Sequence, residues 1–174
     1  VVIALIWKLI YSPNVGILSW LLQTFRLSGE SYGILGDSDF ALYGLIFTHI
    51  WNQFGFCAVV YVNGLQNIDP ELYDAADIDG ASPLQKLIHV TLPGVATVTT
   101  FLVLLNMINA FRTFNFVFLM TSGGPVQATE VVAYKVYVEA FQLLRVGYGS
   151  SQAVMLAVVV LIIGMIYVTV RERK

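Results

Sequence analysis

Charged residues are scarce in this sequence. Asp, Glu, Lys and Arg make up 11% of 174 residues, against roughly 25% in an ordinary soluble domain. Nine basic and eleven acidic side chains leave a net charge of −2. The chain therefore lacks the Lys/Arg patch with which a nucleic-acid binder neutralises phosphates. A single cysteine, Cys57, excludes an intrachain disulfide and a cysteine-based metal site. The two histidines, His49 and His89, have no acidic neighbour at ligand spacing, so no metal site is expected. No Lys-Ser/Thr follows Gly123-Gly124-Pro125, so there is no phosphate-binding loop. Ser150-Ser151 has no nucleophile context either, and the pair reads as the N-cap of the last span. What is abundant is apolar: 57% of the residues are hydrophobic. Few charges on so apolar a chain indicate a membrane protein and argue against disorder.

The few charges are also unevenly placed. Residues 40–68, 87–111 and 146–170 contain no Asp, Glu, Lys or Arg. A membrane-spanning helix needs about 20 mostly apolar residues. Three spans are expected, at about 41–63, 95–114 and 151–170. The last ends at Arg171-Glu172-Arg173-Lys174, a charge cluster that halts a helix at a membrane face. Residues 1–10 are apolar but too short to span. They read as a partial span in a single transmembrane domain covering residues 1–174, truncated at its N-terminus. Ser12-Pro13-Asn14 breaks that segment. Residues 16–25 form a short amphipathic helix with Trp20 suited to the interface. Thr129 is placed to cap a helix over 130–144, with Tyr134, Tyr137 and Phe141 on one face.

Residues 64–93 read as a helical loop. Asp69 is a good N-cap, with Pro70 at the favoured first position and Glu71 and Asp74 near the positive helix end. Gly80 closes that helix. Ser82 caps a second one, with Pro83 following and Gln85 completing a capping box. Pro93 ends it or kinks the entry into the next span. Ala75, Ala76 and Gly80 are small enough for another protein to approach closely. Leu72 and Tyr73 offer apolar anchors, and Asp74, Asp77 and Asp79 ring the patch with negative charge. From the residues alone, an acidic solvated helix is as good a reading as a docking element.

The pattern Asp74-Ala75-Ala76, three residues, Gly80, nine residues, Val90, Thr91, Leu92-Pro93 resembles the EAA signature of ABC importer permeases. These are the membrane subunits of binding-protein-dependent uptake systems. Asp74 replaces Glu and Val90 replaces Ile, both conservatively. The phrase around Ile78-Asp79-Gly80-Ala81-Ser82 is similar to the carbohydrate-uptake branch. So are Phe114-Asn115-Phe116, the run from Leu119 to Pro125, Ala140-Phe141 and Gly147-Tyr148-Gly149.

The resemblance implies an all-α integral membrane fold: a bundle of transmembrane helices with a cytoplasmic helical coupling loop, as in type I importer permeases. It implies an ATPase-coupling site of Glu71, Asp74, Ala75, Ala76, Gly80, Leu92 and Pro93. Asp74 would contact a polar or basic group in the ATPase groove or in the second loop helix. It implies a multi-pass protein of a bacterial or archaeal cytoplasmic (inner) membrane. The implied partners are an ATP-binding subunit dimer, a second and non-identical permease, an extracytoplasmic solute-binding protein and a sugar. ATP and Mg would be bound by the partner, with no cofactor and no catalytic residue in this chain. Residues 11–39 and 116–149 would then face the opposite side. The basic residues are poor support for this orientation. Lys86, Arg171, Arg173 and Lys174 are inside, while Lys8, Arg26, Arg112, Lys135 and Arg145 are elsewhere.

Polar residues inside spans face an interior or a water-filled path. Asn52, Asn106, Asn109, Arg112 and Asn115 are the candidate contacts to a solute. Asparagines can equally bond neighbouring helices, and His49 reads as a packing residue. The alternative in another class is a fragment of an ion-coupled secondary transporter. That would call for a buried acid in a span, and the three expected spans hold no Asp or Glu.

Overall fold

The computed structural model describes residues 1–24, 33–111 and 113–172. Among these the regular structure is helical, with no strand. Phe25, Arg26, Arg112, Arg173 and Lys174, which figure in the expectations above, lie outside the described residues.

Helix α1, Val2–Ile10, ends where Tyr11 and Ser12 turn their N–H groups back to Trp7 and Leu9. Pro13 cannot continue it. Lys8, the one charge on α1, donates to the carbonyl of Leu119 at 3.0 Å, where a helix C-terminus favours a cation. Helix α2 covers Ile17–Thr24. A short 3₁₀ turn, Ile34–Gly36, leads into α3, Ala41–Gln66. The 26 residues of α3 reach about 39 Å at the α-helical rise, enough for a hydrocarbon core of about 30 Å.

The expected second span is divided. Residues from Pro83 to Gly94 and helix Ala96–Phe111 meet at a 63° bend, and together they would make one broken span. A further break follows Phe111. Thr113 turns its hydroxyl to the carbonyls of Ala110 (2.7 Å) and Asn109 (3.1 Å), which satisfies the helix end inside the chain. A new helix, Phe114–Met120, then starts. The last helix, Val146–Glu172, is the longest at 27 residues. By length and composition two helices can cross a membrane, Ala41–Gln66 and Val146–Val170, and the bent pair makes a third.

Two caps differ from expectation. The helix after the Gly-Gly-Pro loop runs Val132–Tyr137, with Val131 as its N-cap. Thr129 is 1% exposed, and its hydroxyl is spent within the loop, donating to Gly124 O at 2.7 Å and lying 2.8 Å from Thr121 Oγ1. A π turn, Val138–Gln142, continues that helix. The chain then passes through Leu144 at φ +54° into the last helix. That helix begins at Val146 and not at Ser151. Ser151 lies inside its second turn, bonded back to Tyr148 O at 2.7 Å. Tyr134, Tyr137 and Phe141 share a face, with ring centroids 6.3 and 5.7 Å apart in succession.

The buried core is small. Ala4, Tyr11, Leu45, Val117, Met120 and Tyr134 meet where α1, α3 and the segments 114–120 and 132–137 converge. Thr48 within this region is fully buried, and its hydroxyl donates to Gly44 O at 2.9 Å. Most large apolar side chains point outward, including Trp51, Phe54, Leu161 and Ile166. Nothing in the apolar window of the last helix is buried within this chain. A helix apolar on every side suits lipid or neighbouring helices, not water.

Candidate functional site

The loop between α3 and the second span is built from local rules. Asp69 Oδ1 accepts the Glu71 N–H at 3.0 Å, starting α4, Pro70–Ile78, with Pro70 where a missing N–H costs nothing. The helix closes with two reversed bonds. Gly80 N–H reaches Asp77 O at 3.0 Å and Ala81 N–H reaches Ala76 O at 2.9 Å. That pattern requires a left-handed residue between them, and Gly80 supplies it at φ +70°. Ser82 and Gln85 form the reciprocal capping box, at 3.4 and 2.7 Å, that starts α5, Pro83–Lys86. A π turn, Leu87–Thr91, follows, then α6, Leu92–Gly94, and past the bend α7, Ala96–Phe111.

Two side-chain links hold α4 against α5 and the π turn that follows it. Tyr73 Oη lies 2.9 Å from Thr91 Oγ1, and Lys86 pairs with Asp77. The partner of the second loop helix is thus Asp77, while Asp74 is exposed. Of the coupling candidates, Glu71, Asp74, Ala75, Gly80, Leu92 and Pro93 are exposed and Ala76 is half-buried. Glu71, Asp74, Ala75, Ala76 and Gly80 belong to one protruding element, α4 with its closing turn. Leu92 and Pro93 sit apart, in the hinge before the bend. Sequence reasoning missed Ile78, which is 87% exposed. Its signal was the repeat of Leu72, Ala75 and Ile78 every three residues, an apolar stripe left exposed among the described residues.

The base of the loop is tight. A Cβ on Gly64 would lie 2.8 Å from Val98 Cγ2, so α3 and α7 touch through the glycine. Tyr61 donates to Thr99 Oγ1 at 3.2 Å just beyond. The two helices that flank the loop are therefore packed directly against each other at its base.

The polar residues of the spans divide into two groups. Asn106 is fully engaged. Its Oδ1 accepts from Gln53 Nε2 at 3.2 Å, and its Nδ2 donates to Leu102 O at 2.8 Å and reaches Cys57 Sγ at 3.4 Å. It joins α3 to α7. Asn52 donates to Gln53 Oε1 at 3.3 Å and extends this row. Asn109 is half-buried and Asn115 exposed. His49 lies one turn from Asn52 and Gln53, edge-on to Phe116 with centroids 5.8 Å apart. Its Nδ1 is buried without a hydrogen-bond partner among the described residues. The described residues contain no group of three or more His, Cys, Asp or Glu that could hold a metal ion.

Comparison with known proteins agrees with this geometry. The model of the family described as binding-protein-dependent transport system inner membrane component matches residues 1–173. The chain is 36% identical over 160 residues to a probable ABC transporter permease protein, YurN, of Bacillus subtilis (strain 168), covering 92% of this chain and 55% of that protein. It is 32% identical over 174 residues to the sn-glycerol-3-phosphate transport system permease protein UgpA of Escherichia coli (strain UTI89 / UPEC), covering 99% and 58% respectively. The chain thus spans a little under three fifths of the length of these relatives. Its fold resembles a chain of a bacterial ABC transporter involved in the import of the acidic polysaccharide alginate, with a TM-score of 0.85 and 22% identity over 99% of this chain and 60% of that one. A structure of bacterial alginate ABC transporter in complex with alginate pentasaccharide-bound periplasmic protein matches at 0.79 and 23%, over 95% and 57%. With a match over nearly every residue, an all-helical fold shared with transporter chains and a capped loop standing between span-length helices, this chain belongs to the inner-membrane components of binding-protein-dependent transport systems.

Proposed function

We propose that this chain forms part of the membrane-spanning permease subunit of an ATP-driven importer, and that α4 is the element through which a separate ATPase acts on it. The observation that carries this reading is the exposed, doubly capped α4, fastened to the returning half of the loop through Tyr73–Thr91 and Asp77–Lys86. An element that rigid and that open presents a fixed shape to a partner. The stripe of Leu72, Ala75 and Ile78 would enter a groove of the ATP-binding subunit, with Glu71 and Asp74 facing its polar rim. Ala75 and Ala76 let the groove close on the helix. Closure of the ATPase dimer would pull α4 and switch the spans between inward and outward access. ATP and Mg belong to that partner.

The solute we infer is a sugar or a related polyol phosphate, delivered by an extracytoplasmic binding protein. The transport of glycerol phosphate and the import of alginate by the similar proteins support that chemical class. A second permease, non-identical to this one, would complete the path and cover the outward apolar faces in a bacterial or archaeal cytoplasmic membrane. Asn52, Asn109, Arg112 and Asn115 are the contacts proposed for solute hydroxyls. Asn106 serves instead as a bond between helices.

The test is made in the assembled transporter reconstituted in vesicles. Gly80→Pro and Ala76→Trp should insert normally and keep ATP hydrolysis, yet lose most uptake. Uptake at the unmutated rate in both variants would sink the assignment of α4.

A further inference from the structure

Helix α4 meets the rest of the chain through one face. Tyr73 and Asp77, four residues apart, lie on it; Tyr73 and Ala76 are half-buried, and Asp77, like the rest of α4, is exposed. Their partners are Thr91 and Lys86, five residues apart. In a straight α-helix, residues five apart sit roughly 140° from one another at 3.6 residues per turn. Both could not then meet one face of α4. The π turn Leu87–Thr91 absorbs the extra residue. Thr91 Oγ1 consequently stacks over Lys86 O, at 3.4 Å, and presents itself to Tyr73. Four residues later the chain bends by 63° into α7.

We propose that Tyr73 is a positioning residue: its hydroxyl, held by Thr91, passes a displacement of α4 into the π turn and so to the hinge of α7. The proposal rests on the reading of α4 as the element an ATPase grips. The neighbouring ion pair is less suited to the task. The Asp77 side chain is 64% exposed, and exposed pairs are weak and screened by salt. The Tyr73–Thr91 bond is part-buried and between neutral groups, so it holds across ionic strengths. Without it α4 would pivot about its closing turn, and a pull on the helix would be lost as rotation.

Two measurements on the assembled transporter test this. Amide hydrogen exchange without nucleotide should rise across residues 72–79 in Tyr73→Phe and in Thr91→Val. Thr91→Ser, which keeps the hydroxyl, should match the unmutated protein. The ratio of solute moved to ATP hydrolysed should fall about fivefold in each disruptive variant, the size of one lost hydrogen bond. The double variant should be no worse than either single one, and Asp77→Asn should stay within about twofold of the unmutated ratio. Unchanged exchange in Tyr73→Phe overturns the link itself. Raised exchange with an unchanged transport ratio overturns its role in transmission. If the unmutated transporter shows no ATP-coupled uptake, the importer reading fails, while the exchange data still decide whether the Tyr73–Thr91 link exists.

Discussion

Asn106 and Asn109 stand three residues apart on one helix, and their side chains have different work. Asn106 has its amide committed to Gln53, Cys57 and the Leu102 carbonyl. Replacing it by Leu removes the acceptor of Gln53 Nε2 inside a span, at a cost of about 1 kcal/mol for a bond of this kind. Asn106→Leu should therefore lower the unfolding temperature in detergent, and Gln53→Leu combined with it should cost less than the sum of the two. Asn109→Ala makes no such gap. It should leave stability unchanged and raise the KM for solute, as measured by uptake in vesicles. Both asparagines are legible in the sequence as polar residues at membrane depth. Which of them bonds a helix was not, because that depends on Gln53, more than fifty positions away, arriving beside one and not the other. His49 shows the same limit. Its sequence context is apolar, and only the fold leaves its Nδ1 buried without a partner among the described residues.

At the scale of the element, the loop is the part most completely written in local residues. Asp69, Pro70, Gly80, Ser82, Pro83 and Gln85 each act within a few positions of themselves, so their caps follow from sequence, and the structure forms them where expected. Ser82→Ala should break the capping box and destabilise α5 by about 1 kcal/mol. Faster amide exchange at residues 84–86, with no change in α4, would register it. The caps at Thr129 and Ser151 did not form where local rules placed them. Thr129 found partners across its own loop in Thr121 and Gly124, and the last helix gained an extra turn by packing on the π turn before it. A Cβ at Gly149 would come within 2.8 Å of Ala140, which shows how closely those segments approach. Local capping is worth about 1 kcal/mol, so tertiary contacts of this size override it.

At the scale of the whole molecule, the arrangement is a thin one. Among the described residues its core is small and its large apolar residues mostly face outward. Close approach of α3 and α7 at Gly64 therefore carries much of the packing at the foot of the loop. Gly64→Leu should force the two helices apart and lower the unfolding temperature. Gly164→Leu, in the last helix where a Cβ meets nothing within 4 Å, should leave it unchanged. Circular dichroism melts of the two variants in one detergent would compare them directly. The sequence by itself determined the class of the protein, the number of apolar segments and the two-helix loop. Those depend on composition, on charge-free length and on bonds made within a few residues. The bend at the entry to the second span also falls where Pro93 implied it. Only the tertiary structure decided which asparagine is spent as a bond and how α4 is fastened through Tyr73 to Thr91. Each of these is set by residues far apart in sequence or by a π turn that shifts register by one position, and local propensity carries no trace of either.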